Sequence, residues 1–218
     1  VIERLLPDTV ASAETLGEDP TACLLPEEEQ LVTRAVEKRR REVTLARTCA
    51  RRALTDLGRD AVAVLSGPRR EPLWPGGIVG SITHCEGYCA AAVAEHGPVT
   101  AVGIDAEVAD VLPDGVLDYV SSPGERALLE KLPQDRHWDR ILFSAKESVY
   151  KAWFPLTGRW LGFEDAVVSI DPVRETFRAD LLVEPPVAQG RTLSGFDGRF
   201  LAEQGLVMTA VTVASNRV

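Results

Sequence analysis

Helical and extended periodicities in this chain fall into separate blocks instead of alternating, and that ordering decides the fold class. From about Glu27 to Leu57 the apolar residues Val32, Ala35, Val36, Val43, Ala46, Ala50, Ala53, Leu54 and Leu57 recur on one face at roughly 100° per residue. The spacing predicts one long helix, opened by Pro26 and three glutamates and closed by Gly58. Only strand signals follow: Ala61 to Leu65, a Gly/Pro-rich loop over 66–77, a hairpin of Ile78 to Thr83 with Tyr88 to Glu95, and Thr100 to Asp105. The second block repeats the order, with helices from Pro123 to Leu132 and Trp138 to Trp153. Strands then follow at Ala166 to Asp171, Phe177 to Leu182, Thr192 to Phe196, Arg199 to Glu203 and Leu206 to Ala214. Segregated blocks of this kind are the pattern of an α+β fold. No repeat has a fixed period, and the punctuation divides the chain into halves, 1–104 and 105–218.

Charge narrows the function. The 218 residues carry a net charge of −9, yet residues 34–59 hold nine Lys and Arg against three acids. An acidic protein with one basic segment repels a nucleic-acid backbone over most of its surface but can hold a single compact anion, so a small polyanionic ligand is expected and nucleic acid is not. On the predicted helix Arg39 falls near the centre of the apolar arc and Arg47 on its edge, with Arg40 and Arg51. A guanidinium aimed at the core needs a partner, a core carboxylate or a bound anion, unless the helix bends there and frees it. Apolar runs are far shorter than the roughly 20 residues that span a bilayer, and the first residues lack a secretory pattern. A cytoplasmic location without membrane contact is expected. Cys23, Cys49, Cys85 and Cys89 are too few and too irregularly spaced for a disulfide framework or a zinc site, and are expected as free thiols.

Three segments carry chemistry. In Gly103-Ile104-Asp105-Ala106-Glu107 the two carboxylates share one face of an extended chain and suit a hard divalent cation, Mg²⁺ or Mn²⁺. By itself an Asp-x-Glu at a strand end is more often a solvated turn. Gly103, lacking a side chain, admits another backbone or a ligand close to the strand. In Phe143 to Trp153 the helix is apolar over more than half its circumference; Lys146 lies inside that arc, and Glu147 and Lys151 form an i, i+4 pair at its margin. Phosphoryl chemistry requires such a set, a base or metal ligand together with cations for phosphate oxygens. The third is Gly80-Ser81-Ile82-Thr83-His84, a strand ending in Thr and His. There is no Gly-x-Ser-x-Gly elbow and no phosphate-binding glycine loop before a helix.

Taken in order, Arg39 and Arg47, Ser81-Ile82-Thr83-His84, Gly103-Ile104-Asp105-Ala106-Glu107 and Lys146-Glu147-Ser148-Val149-Tyr150-Lys151 resemble a 4′-phosphopantetheinyl transferase of the type serving siderophore, polyketide and lipid synthases. The stretches Trp138 to Phe143 and Phe154 to Thr157 look most like actinobacterial members. The resemblance implies two pseudo-symmetric α+β halves in a monomer, with coenzyme A in the cleft between them and an apo acyl or peptidyl carrier protein as partner. It also implies that Asp105, Glu107 and Glu147 hold the metal with help from the Ala106 carbonyl. Glu147, directly or through a water, would take the proton of the carrier serine. Lys151 would stabilise the leaving phosphate and Lys146 would contact a coenzyme A phosphate. Arg39, Arg47, Thr83 and His84 would hold the 3′-phosphate and its neighbours, under the loop Ser66-Gly67-Pro68-Arg69. Relatives often carry Lys at the position of Ser66. Two rivals use parts of the same chemistry. A metal-dependent phosphodiesterase would need a longer basic track, and a non-catalytic coenzyme A binder would not need the full set Asp105, Glu107, Glu147 and Lys151.

Overall fold

The computed structural model describes residues 1–215. Its elements, in chain order, are β1 (Val10–Leu16), α1 (Glu37–Asp56), β2 (Leu65–Ser66), β3 (Pro72–Leu73), β4 (Ile78–Cys85), β5 (Tyr88–Glu95) and β6 (Val99–Val108). There follow α2 (Val116–Val120), α3 (Pro123–Leu129), α4 (Trp138–Thr157), β7 (Ala166–Asp171), β8 (Thr176–Leu181), β9 (Val187–Ala188), β10 (Arg191–Thr192), β11 (Gly195–Glu203) and β12 (Leu206–Ala214). Two antiparallel sheets, β1-β5-β4 and β6-β12-β11-β8-β7, form the frame. The α+β class holds.

Alternation along the strands sorts the cores. Cys89, Ala91 and Val93 of β5 pack under α1 with Cys49, Ala50, Ala53 and Leu54. Ala90, Ala92 and Ala94 turn the other way, onto Val102, Ile104 and Ala106 of β6. The opposite face of β6 meets α4, whose Ile141, Leu142, Ala145, Val149 and Ala152 cover Ala101, Val168, Ala179 and Phe200. The two sheets therefore stack face to face between α1 and α4. Helix α4 comes so close that a Cβ on Gly103 would sit 1.9 Å from the Ser148 carbonyl oxygen. Gly103 is thus required by backbone contact, as its place in the strand suggested.

The halves repeat one device. Each long helix has 20 residues, and each half holds a buried glutamate in a short helical turn begun by a proline, Pro26 or Pro123. Glu28 accepts the amides of Leu25 (2.9 Å) and Val64 (3.0 Å) and pairs with Arg51 of α1. Glu125 accepts the amides of Ser122 (2.7 Å) and Val168 (2.8 Å) and pairs with Lys146 of α4 at 2.9 Å. This repetition is the internal pseudo-symmetry that the resemblance implied.

Three expectations are corrected. The helix expected from Glu27 is two pieces, a 3₁₀ turn over Pro26–Val32 and α1 from Glu37. Glu28 folds back on the turn, and β-branched Val32, Thr33 and Val36 favour the break. The expected boundary at 104/105 falls inside β6, which pairs with β12 along its length, so the sheets divide between Glu95 and Val99. The strand expected over Ala61 to Leu65 shrinks to Leu65–Ser66. All four cysteines are free. Among the described residues no helix is long and apolar enough to cross a membrane.

Candidate active site

A cleft of about 770 Å³ opens between α1, the loop after β2, β4 and α4. Its first wall is cationic. Arg39, in the first turn of α1, donates to His84 Nε2 at 2.8 Å and pairs with Glu42 at 3.2 Å. Because α1 starts only at Glu37, Arg39 is exposed at the cleft rather than core-facing. Desolvation and then the Arg39 charge pull the His84 pKa below its ordinary value, and since a guanidinium can only donate, Nε2 is the acceptor in this bond. Arg47, two turns on, is buried. It donates to Ser66 Oγ at 2.7 Å, its Nε has no partner, and burial draws its pKa down. A desolvated guanidinium with a spare N–H is poised for an anion.

The second wall presents Glu147 and Lys151, and the carboxylates of β6 lie behind it, outside the cleft lining. Gly103, Asp105 and Glu107 share the β6 face towards α4, the i, i+2 geometry expected from sequence. Asp105 Oδ1 accepts Lys151 Nζ at 2.7 Å, and Lys151 also donates to the Ile104 carbonyl at 3.0 Å. Asp105 Oδ2 is buried without a partner. Glu107 is held by Arg140 at 3.0 Å. Burial and then the Asp105 charge raise the Glu107 pKa, and the same causes in the same order raise that of Glu147. Two glutamates whose ionisation burial and the Asp105 charge oppose, beside one orphaned Asp105 oxygen, suit a hard cation. Among the described residues no three side chains already form a cage for one; Lys151 is paired to Oδ1 and Arg140 to Glu107.

Other expected residues separate. Ser66 and Arg69 line the cleft, joined by Arg70, Glu71 and Trp74, whereas Gly67 and Pro68 do not. Gly67 instead closes the loop through its amide to the Glu71 carbonyl at 2.9 Å, where a Cβ would strike the Glu71 carboxylate. Lys146 is turned away from the cleft, buried on Glu125 and on the Phe163 carbonyl at 2.7 Å. Its role is structural in this geometry, because the glutamate that meets it arrives from α3. Thr83 is also absent from the lining, its hydroxyl facing β6. Sequence reasoning missed Arg70, Trp74, Tyr150 as cleft residues and Arg140 as the clamp on Glu107. Tyr150 was readable one turn before Phe154 on the same helix face. A smaller recess of about 80 Å³, lined by Lys146, Tyr150, Trp160, Leu161 and Phe163, shares Glu147 and Tyr150 with the cleft.

Comparison with known proteins agrees. Residues 27–94 match the family described as the 4′-phosphopantetheinyl transferase N-terminal domain, and residues 101–193 match the 4′-phosphopantetheinyl transferase superfamily. The 4′-phosphopantetheinyl transferase Svp of Streptomyces mobaraensis is 49% identical over 99% of this chain and 90% of its own. Npt of Nocardia iowensis is 48% identical over 98% of this chain and 100% of its own. PptT of Mycobacterium tuberculosis is 46% identical over 98% of both. A two-walled cleft, two family matches that between them span both halves, and near-full-length identity to three such enzymes place this chain in the 4′-phosphopantetheinyl transferase family, as an enzyme of the actinobacterial type.

Proposed function

We propose that this transferase takes the 4′-phosphopantetheinyl group from coenzyme A and places it on a serine of an apo acyl or peptidyl carrier protein, releasing adenosine 3′,5′-bisphosphate. The observation that carries the reading is the facing of Arg39, Arg47 and His84 against Glu147 and Lys151 across one cleft, with Asp105 behind that wall and paired to Lys151. Arg39, Arg47 and Arg69 hold the phosphates of the nucleotide end, with His84 oriented by Arg39. The uncharged arm runs past Tyr150 into the recess beside Trp160 and Leu161.

Glu147 takes the serine proton as the serine oxygen forms its bond to the β-phosphorus and the bond to the departing nucleotide phosphate breaks. A buried carboxylate with a raised pKa is a better proton acceptor than a solvated one. Lys151, fixed between Ile104 and Asp105, offers its ammonium to the charge that develops on the leaving phosphate. Asp105, Glu107 and Glu147, with the Ala106 carbonyl, would hold Mg²⁺ or Mn²⁺, which neutralises pyrophosphate charge when bound. Both walls come from one chain, so the site is complete in a monomer, and a coenzyme A substrate is consistent with work in the cytoplasm.

The test is the intact mass of a purified apo carrier protein incubated with the chain, coenzyme A and Mg²⁺, alongside an EDTA control. Gain of one phosphopantetheinyl group that EDTA prevents is the expected result. No gain on several acyl and peptidyl carriers, despite coenzyme A binding, would overturn the proposed substrates.

A further inference from the structure

Apart from an isolated bridge at Val99, strand β6 forms its ladder, among the described residues, with β12 alone. The amides of Ile104 and Ala106 point the other way and are buried, a position in which an unpaired N–H is costly. No backbone ladder serves them. The Ile104 amide instead donates to Ser81 Oγ at 3.1 Å and the Ala106 amide to Thr83 Oγ1 at 2.9 Å. Strand β4 thus lies parallel to β6, advancing two residues for every two, with side-chain hydroxyls in place of carbonyls. Ser81 and Thr83 are each 3% exposed.

The two hydroxyls are not equivalent. A hydroxyl that accepts from an amide keeps its own proton to donate, and Thr83 Oγ1 directs it to Asp105 Oδ1 at 3.4 Å. Lys151 Nζ reaches the same oxygen at 2.7 Å. Oδ1 is therefore held from both halves of the chain, and Oδ2 has no partner. Thr83 is also β-branched, which leaves its side chain few rotamers. His84, the next residue, lines the cleft, whereas Thr83 does not.

We propose that Thr83 is a positioning residue: its hydroxyl, bridging the Ala106 amide to Asp105 Oδ1, fixes the carboxylate so that Oδ2 is the oxygen presented to the divalent cation. This rests on the metal role proposed above for Asp105, and it replaces the phosphate contact that the family resemblance assigned to Thr83. Ser81, which meets only an amide, is the structural counterpart in the same seam.

The full-length chain is titrated with Mn²⁺, followed by electron paramagnetic resonance with and without coenzyme A, in wild type and in Thr83→Val, Thr83→Ser, Ser81→Ala and Asp105→Asn. Coenzyme A and 3′-dephospho-coenzyme A affinities are measured without metal. Thr83→Val, nearly isosteric, should weaken Mn²⁺ by about 10- to 100-fold, the usual effect of losing a partner behind a metal ligand, and should leave both nucleotide affinities unchanged. Thr83→Ser should restore Mn²⁺ binding, and Ser81→Ala should lower thermal stability without changing it.

Wild-type Mn²⁺ affinity in Thr83→Val would overturn the proposal. So would an equal loss in Ser81→Ala, which would mean a loosened seam, or a selective loss of coenzyme A over its 3′-dephospho form, which would mean a phosphate contact. If Asp105→Asn binds Mn²⁺ like wild type, or wild type binds none, the metal reading of Asp105 fails and the proposal with it. A weakened Asp105→Asn beside an unaffected Thr83→Val refutes the proposal alone.

Discussion

Gly103→Ala tests whether the approach of α4 to β6 sets the chemistry. The added Cβ would lie 1.9 Å from the Ser148 carbonyl oxygen and 2.8 Å from the Ala152 nitrogen, where ordinary contact begins at 3.4 Å. Both obstacles are backbone, so no rotamer change relieves them and the helix must retreat from the strand by about 1.5 Å at that point. Such overpacking costs about 1–3 kcal/mol, which for a chain of this size lowers Tm by roughly 2–12 °C. The displaced helix carries Glu147 and Lys151, while Asp105 and the Ile104 carbonyl stay on β6, so the 2.7 and 3.0 Å bonds of Lys151 are stretched. A misplacement of about 1 Å in reacting groups can cost on the order of 100-fold in rate. The expected result is a kcat lower by about that factor, with the KM for coenzyme A little changed, because Arg39, Arg47 and His84 lie in the other half. Time-resolved intact mass gives both constants and calorimetry gives Tm. Wild-type kcat with a lowered Tm would refute the positioning argument. Unchanged values of both would refute the contact itself.

Glu147→Gln should abolish transfer with coenzyme A affinity intact, and turnover by that variant in the mass assay would remove Glu147 as the base. The same variant carries a pH prediction. The folded chain holds the Glu147 proton more tightly than the unfolded chain, so Glu147 favours folding below its ordinary pKa and loses that contribution as pH rises through the raised one. Ligand-free Glu147→Gln should therefore melt above wild type at neutral pH and converge with it near about pH 4, read by scanning calorimetry; an equal gap at both would be contrary. Arg39→Ala should weaken coenzyme A more than 3′-dephospho-coenzyme A, and equal losses by calorimetric titration would make Arg39 structural. Lys146→Met strands the Glu125 carboxylate and should destabilise the fold by about 3–5 kcal/mol in denaturant unfolding. Loss of coenzyme A affinity without loss of stability would return Lys146 to the ligand.

What the sequence disclosed were contacts with a short, regular spacing. Asp105 and Glu107 two apart on a strand, Glu147 and Lys151 four apart on a helix, and Gly103 where a backbone must approach all fall where the pattern placed them. What it concealed depends on partners distant along the chain. Ala61 to Leu65 has strand composition, but the Val64 amide is taken by the Glu28 carboxylate, not by a ladder. Lys146 sits where the helical wheel put it, yet its partner Glu125 belongs to another helix. In β11, Gly198 falls in the gap between the strands expected at Thr192 to Phe196 and Arg199 to Glu203. It lies within one strand, its bare Cα covered by the Phe177 ring, whose Cζ would be 2.1 Å from a Cβ there. Arg39 moved from core to cleft because the chain breaks after Val32, where the deciding bonds of Glu28 reach as far as Val64 and Arg51.

The division of charge between the walls has a thermodynamic consequence. In the ligand-free chain the cations of the first half crowd one another and the acids of the second half resist ionisation. A polyanion relieves the first and a divalent cation the second, and the two ligands attract each other across the gap. Under the proposed function their binding free energies would be coupled, and reciprocally so: coenzyme A would raise the affinity for the ion by the same factor as the ion would raise the affinity for coenzyme A.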